Sequence, residues 1–305
     1  MSSTTEAVSL AQLFSLLVEA SHQGILGRTV DPAWRQAFVD ELLRRAEGAD
    51  LQTVVSGFVK LIHECPEAQE RAVRLVGERS LQNFVAPGLS LRPTPIATIS
   101  AGCAPRVAGM LRRAGLRRWA GPFDWMTLPP EAVRDALTDN LNALLSPRHL
   151  VPIRPEDRPA GSQGHLARHL RYSEQYGETV FHRADPSTEE GYAALERAAL
   201  RLRDSLRGLH AKMLLQVVEE TTATPTLWAE TGEALDRFAR GGTLVTVALV
   251  PGAPEGPFPE MELAESHGAH RLLRCRVLSA PQPLGFGDLL DEVVILRGAL
   301  ATAQG

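Results

Sequence analysis

From residue 96 onward, short runs of consecutive apolar residues alternate with stretches of helical period. That alternation restricts this part of the chain to an α/β architecture, because strands apolar on both faces need helices over both faces to be buried. The runs 96–100, 213–218 and 244–250 are too continuous for half-exposed strands and read as buried ones. Helical patterning fills 106–114, 131–145, 189–206 and 227–238; Gly115 ends the first, and Gly241 with Gly242 ends the last. A short strand is expected at 179–182 and a more peripheral one at 272–278. The prediction is a largely parallel sheet flanked by helices.

The preceding segment has a different texture. Leu10, Leu13, Phe14, Leu17 and Val18 recur at helical spacing. Asp31 and Pro32 read as an N-cap and a first helical residue, and Asp50 caps a further helix carrying Val54, Phe58 and Ile62. Pro66 marks a break before a last helix. Together these make a small all-α bundle. Residues 86–95 are rich in proline and small residues and predict a linker. The chain thus divides into a helical domain over 1–88, a scaffold or interaction module that would engage a protein partner, and an α/β domain over 93–300. Residues 151–163, rich in proline and arginine, are expected as a long, mobile loop.

Composition narrows the function. Apolar residues make up 44 %, enough for a packed core. The net charge of -4 offers no basic face for nucleic acid. Arg106, Arg112, Arg113, Arg117 and Arg118 do form a local basic cluster, either a solvated helix face or a means of capturing an anionic substrate. Cys65, Cys103 and Cys275 show no C-x-x-C spacing and cannot build a disulfide framework, which fits a reducing compartment. The first residues lack a basic n-region, and no apolar run approaches the roughly 18 residues needed to span a bilayer. A cytoplasmic protein is expected.

Chemistry concentrates at one turn. Ser100-Ala101-Gly102-Cys103-Ala104-Pro105-Arg106 reads as strand, tight turn and helix start, with Gly102 permitting the turn and Pro105 suiting the first helical turn. Cys103 then stands beyond the carboxyl end of a strand, where ligands of open α/β sheets bind. The helix N-terminus should favour a thiolate there, with a depressed pKa and the fastest alkylation of the three thiols, and its N–H groups would contribute to an oxyanion hole. The competing role is a small buried cysteine filling a turn.

A cysteine nucleophile needs a base. Of the nine histidines, His182 is best placed, closing the strand at 179–182 on the same sheet edge. Asp185 either orients its imidazole or caps the helix that follows. His165 and His169 would share a helix face but lack the glutamate of an H-E-x-x-H site, and His267 and His270 fall in a glycine-containing loop, so no metal is expected. Gly285-Phe286-Gly287 lacks the third glycine of a dinucleotide fingerprint, and no phosphate-binding loop motif occurs; no cofactor is expected.

The stretch from Ser-Ala-Gly-Cys103, through Leu-Arg-Arg-Ala-Gly-Leu-Arg, to Gly-Pro-Phe-Asp-Trp125 resembles a bacterial domain family of unknown function described as papain-like cysteine peptidases. The resemblance covers about residues 95 to 250. It implies Cys103 as nucleophile, His182 as base and Asp124 as the signature acid. Where that family often has an acidic residue after the histidine, this chain has Arg183, so the third member of the site stays open. Gly24-Ile-Leu-Gly-Arg-Thr-Val-Asp-Pro32 is similar to the turn of a small helical domain, related to phycobilisome-linker modules and often attached to surface-polysaccharide enzymes; this implies scaffolding.

Read from the residues, Pro122 sets a turn in which Phe123 and Trp125 are apolar anchors and Asp124 points away, as a local cap or a clamp on the arginines. Ser100, Gly102, Arg106, Phe123 and Trp125 are expected around a substrate. The leading expectation is a cysteine-dependent hydrolase or acyl transferase acting on a small molecule, peptide or glycan. The alternatives are a protein binding or modifying carbohydrate or nucleotide sugar, and a non-catalytic interaction protein.

Overall fold

The computed structural model describes residues 9–90, 96–160 and 164–303. The chain forms two compact units that meet between Glu78 and Arg79. The boundary falls inside helix α4 (Pro66–Ser90), so residues 86–90, expected as linker, are helical; residues 91–95 lie outside the described residues. Proline at the start of α4 costs nothing, since a first-turn N–H has no intrahelical acceptor.

The first unit is a helical bundle of α1 (Leu10–Ser21), α2 (Pro32–Ala46), α3 (Leu51–Glu64) and the start of α4. Asp31 accepts from the Ala33 and Trp34 N–H groups, and Asp50 from Thr53, so both expected caps form. Phe14, Val18, Val39, Leu42, Val54, Phe58 and Ile62 meet in one core.

The second unit is α/β. Its main sheet has the order β1 (Ala97–Ser100), β6 (Lys212–Glu219), β7 (Gly242–Leu249), β9 (His270–Arg276), β8 (Glu260–His267). The first four run parallel and β8 is antiparallel. Alternation along β6 supplies two cores: Leu214 faces one side, and Met213, Leu215 and Val217 face the other. The first side packs on α6 (Pro130–Thr138), α8 (Glu189–Arg207) and α9 (Pro225–Phe238). The second packs on α5 (Pro105–Arg113) and α10 (Leu289–Thr302).

Inserted between α5 and α8 is a small antiparallel sheet, in the order β2 (Met126–Thr127), β5 (Val180–Phe181), β4 (Ala167–His169), β3 (Leu150–Pro152), with α7 (Leu170–Tyr176) following β4. Met126, Leu150, Ala167 and Phe181 bury one side of it in the first core. A hairpin of β10 (Pro281–Gln282) and β11 (Gly285–Phe286) precedes α10.

Several expectations are corrected. The helix expected over 131–145 stops at Thr138, because Asn140 and Leu141 turn left-handed (φ 59° and 63°) and Arg203 holds the Asn140 carbonyl. The strand near 272–278 is internal to the sheet, paired on both sides. His267 and His270 flank a tight β8–β9 turn; His270 is buried, accepts from the Leu244 N–H at Nδ1 and meets Asp236 through Nε2. The segment expected as a mobile loop contains β3 and a 3₁₀ turn at Pro155–Asp157, while residues 161–163 lie outside the described residues. His165 and His169 share no helix face: His169 ends β4, stacked on Tyr172 with a centroid distance of 4.1 Å.

Candidate functional site

The turn after β1 follows the expected course and is more strained than expected. Gly102 (φ 80°) and Cys103 (φ 72°) are both left-handed. Gly102 is required twice over: its φ suits glycine, and a Cβ would meet Leu128, Phe123 and Val133. Ser100, buried, accepts from the Gly102 N–H through Oγ. Gln216 on β6 donates to the Ala101 carbonyl and accepts from Thr246 on β7, anchoring the turn across three strands. Ala104, the N-cap residue of α5, provides no side-chain cap to its first turn.

Beside this turn opens a cleft of about 580 Å³. Ala104, Pro105, Arg106 and Arg112 line it from α5 and its approach, Trp125 and Thr127 from β2 and its lead-in, and His165, His182 and Arg183 from around β4 and β5. Pro281 to Leu284 of the β10–β11 hairpin close it. That hairpin approaches α5 at Gly109, where a Cβ would collide with the Leu284 carbonyl.

His182 reaches the cleft from the end of β5, with its N–H on the Trp125 carbonyl. Its Nε2 shares a 2.8 Å hydrogen bond with Thr127 Oγ1, and its ring meets that of His165 edge to face at 4.7 Å. The next residue, Leu128, donates to the Cys103 carbonyl at 3.4 Å, so β2 joins the cysteine turn to the histidine. Burial, aided by His165, lowers His182 to about 4, and the ring is neutral at physiological pH.

The expected thiolate is not favoured. Cys103 keeps some surface as a residue, but burial of its sulfur pushes the thiol far up, Glu131 adds to this, and Arg106 opposes it. Desolvation of a buried thiol amounts to several pKa units, whereas a helix terminus contributes about 0.3–1 kcal/mol at an exposed position.

Asp185 does not orient His182. Its carboxylate accepts from the Ser187 N–H and hydroxyl, and its carbonyl from Thr188, the N-cap of α8. Asp124 is buried, accepts from the Gly121 N–H at 2.9 Å and pairs with Arg117 at 3.3 Å. Phe123 is core, while Trp125 and Arg106 line the cleft. Two guanidinium groups sit over the Trp125 ring, Arg183 at 4.3 Å and Arg117 at 5.3 Å. Thr127 and the hairpin at Pro281–Gln282 carry no local sequence signal and emerge only from the fold.

Burial raises the Asp124 carboxyl to about 6, against the pull of Arg117 and the Gly121 N–H. A carboxyl that holds its proton more tightly when folded adds stability that is complete below its ordinary value of 3.8 and lost as pH rises through about 6. Asp124→Asn removes this dependence. The stability of the parent relative to the variant is expected to fall by on the order of 2 kcal/mol between pH 3.5 and pH 7. Urea unfolding of both proteins at the two pH values measures it, and parallel pH profiles would contradict it.

Comparison with protein-family models, with curated protein sequences and with solved structures finds no match for this chain.

Proposed function

We propose that this chain is a cysteine-dependent hydrolase or acyl transferase with Cys103 as nucleophile and His182 as base. The observation that carries this reading is the backbone of Cys103. A left-handed residue other than glycine costs on the order of 1–3 kcal/mol, and such strain clusters at functional sites. Cysteine lacks the short polar side chain that eases this conformation in Asn and Asp. A strained turn from strand to helix is also how α/β-hydrolases raise a nucleophile above the sheet.

In the reaction, Sγ bonds to a substrate carbonyl carbon as a ring nitrogen of His182 takes the thiol proton, and the carbonyl π pair moves to oxygen. First-turn N–H groups of α5 stabilise that oxyanion. Collapse restores the carbonyl and breaks the bond to the leaving group, which receives the proton from His182. Water, or an acceptor hydroxyl or amine, releases the acyl group by the same steps. A raised thiol and a lowered imidazole suit proton transfer concerted with attack, in place of a preformed ion pair. His182 acts through Nε2 once Thr127 releases it, or through Nδ1, which lies beside Gly164. Asp124, turned to Gly121 and Arg117, braces the loop before Trp125 in this scheme.

Incubation with p-nitrophenyl acetate tests the reading. A burst of p-nitrophenol and an acetyl adduct on Cys103, located by mass spectrometry, are expected. Cys103→Ala should abolish both, and His182→Gln should slow the burst by about 10²–10⁴-fold. Acetylation that Cys103→Ala leaves unchanged would refute the proposal.

A further inference from the structure

We infer that the substrate of this site carries an oxyanion group, a carboxylate or phosphate, held by Arg112 and Arg183. The inference rests on the reading of Cys103 as nucleophile and names the substrate class for it. The chain as a whole has more acidic than basic residues, 36 against 32. The cleft departs from that balance: Arg106, Arg112, Arg183, His165 and His182 line it, with no aspartate or glutamate among its lining residues. The carboxylates nearby, Glu131 and Glu219, stand outside that lining.

The arginines differ in how far they are neutralised. Arg113 is held by Glu292, Arg117 by Asp124 and Arg134 by Glu230. Arg112, next in sequence to Arg113, and Arg183 have no carboxylate partner among the described residues, and both are exposed. Arg106 reaches Glu219 only at 3.6 Å, and its buried Nε has no hydrogen-bond acceptor among the described residues. The Arg183 guanidinium sits over Trp125 at 4.3 Å, a cation–π contact that restrains it while its N–H groups stay able to fork onto an oxyanion. The apolar wall of Pro281, Pro283 and Leu284 concentrates the field of these cations within the cleft, and the N-terminus of α5 adds the same sign.

The test titrates inorganic phosphate and, separately, acetate into the full chain at constant ionic strength, with chloride as the balancing anion. Calorimetry and the thermal midpoint are the readouts. The wild-type protein and Cys103→Ala should both bind at least one of the two anions and be stabilised by it, and the preferred anion tells phosphate from carboxylate. The double variant Arg112→Gln/Arg183→Gln should bind at least about tenfold more weakly. An equal response to chloride, or a double variant that binds like the wild type, overturns the inference. Alkylation gives a second readout. The rate ratio of iodoacetate to iodoacetamide should be higher at Cys103 than at Cys65 and should fall in the double variant; an unchanged ratio counts against the inference. Anion binding retained beside an inert Cys103 would sink the cysteine-enzyme reading alone. A reactive Cys103 beside a cleft indifferent to anions would sink only the substrate class.

Discussion

Iodoacetamide is expected to modify Cys103 slowly at pH 7, with a rate that climbs about tenfold per pH unit into the alkaline range. The thiolate is the reacting species, and burial holds Cys103 in its thiol form. The Glu131 carboxylate works in the same direction, and Arg106, itself drawn toward Glu219, opposes both without reversing them. Cys275 is expected to be equally slow, since burial and Asp291 push its thiol to about 12. Cys65, partly exposed at the end of α3, should react first. Site-resolved mass spectrometry between pH 6 and pH 10 provides the measurement. A buried thiol also stabilises the fold only while it stays protonated, and that contribution is lost as pH rises above the ordinary thiol value of 9.0. Circular dichroism at each pH therefore accompanies the alkylation. Rapid labelling of Cys103 below pH 7 in the folded protein would show a resting thiolate and a preformed ion pair.

Replacing Lys212 by methionine is expected to lower stability by on the order of 3–5 kcal/mol. Lys212 opens β6 with a side chain only 2 % exposed. Its Nζ donates to the carbonyls of Leu206 at 3.0 Å, Gly208 at 2.6 Å and Arg240 at 2.6 Å. Two of these belong to the end of α8 and the third follows α9, so one ammonium gathers carbonyls at two helix termini, of which Leu206 also accepts from the Arg240 N–H. Burial lowers the pKa of the amine, and the three acceptors favour its charged form. Methionine keeps the stem volume and leaves the Gly208 and Arg240 carbonyls without the ammonium in a water-poor junction, each costing about 1–3 kcal/mol where water cannot replace it, while the Leu206 carbonyl keeps the Arg240 N–H. Urea unfolding at constant m-value gives the figure. A loss below about 1 kcal/mol would mean that water enters and solvates these carbonyls.

The elements legible in advance are those whose signals are local. Asp31 with Pro32, and Asp50, mark helix starts through bonds to residues two or three positions away. The runs that become β6 and β7 are apolar on both faces, a pattern that only a strand covered on two sides satisfies. Gly102 and Pro105 force a turn between strand and helix whatever surrounds it, and the turn forms.

Of the small antiparallel sheet only β5 was legible, within the strand expected at 179–182; β2, β3 and β4, of two or three residues, are too short to show a period. Asp185 was ambiguous in the same way: a carboxylate three residues after a histidine can serve the ring or the next helix, and Ser187 and Thr188 take it. The sequence by itself thus determined where Cys103 sits, on a tight turn at the carboxyl end of a buried strand. Tertiary structure alone decided that the thiol is protonated, that His182 rests on Thr127 and that arginines from distant segments share one cleft. Desolvation and charge pairing depend on atoms brought together from across the chain, and no spacing along it records them.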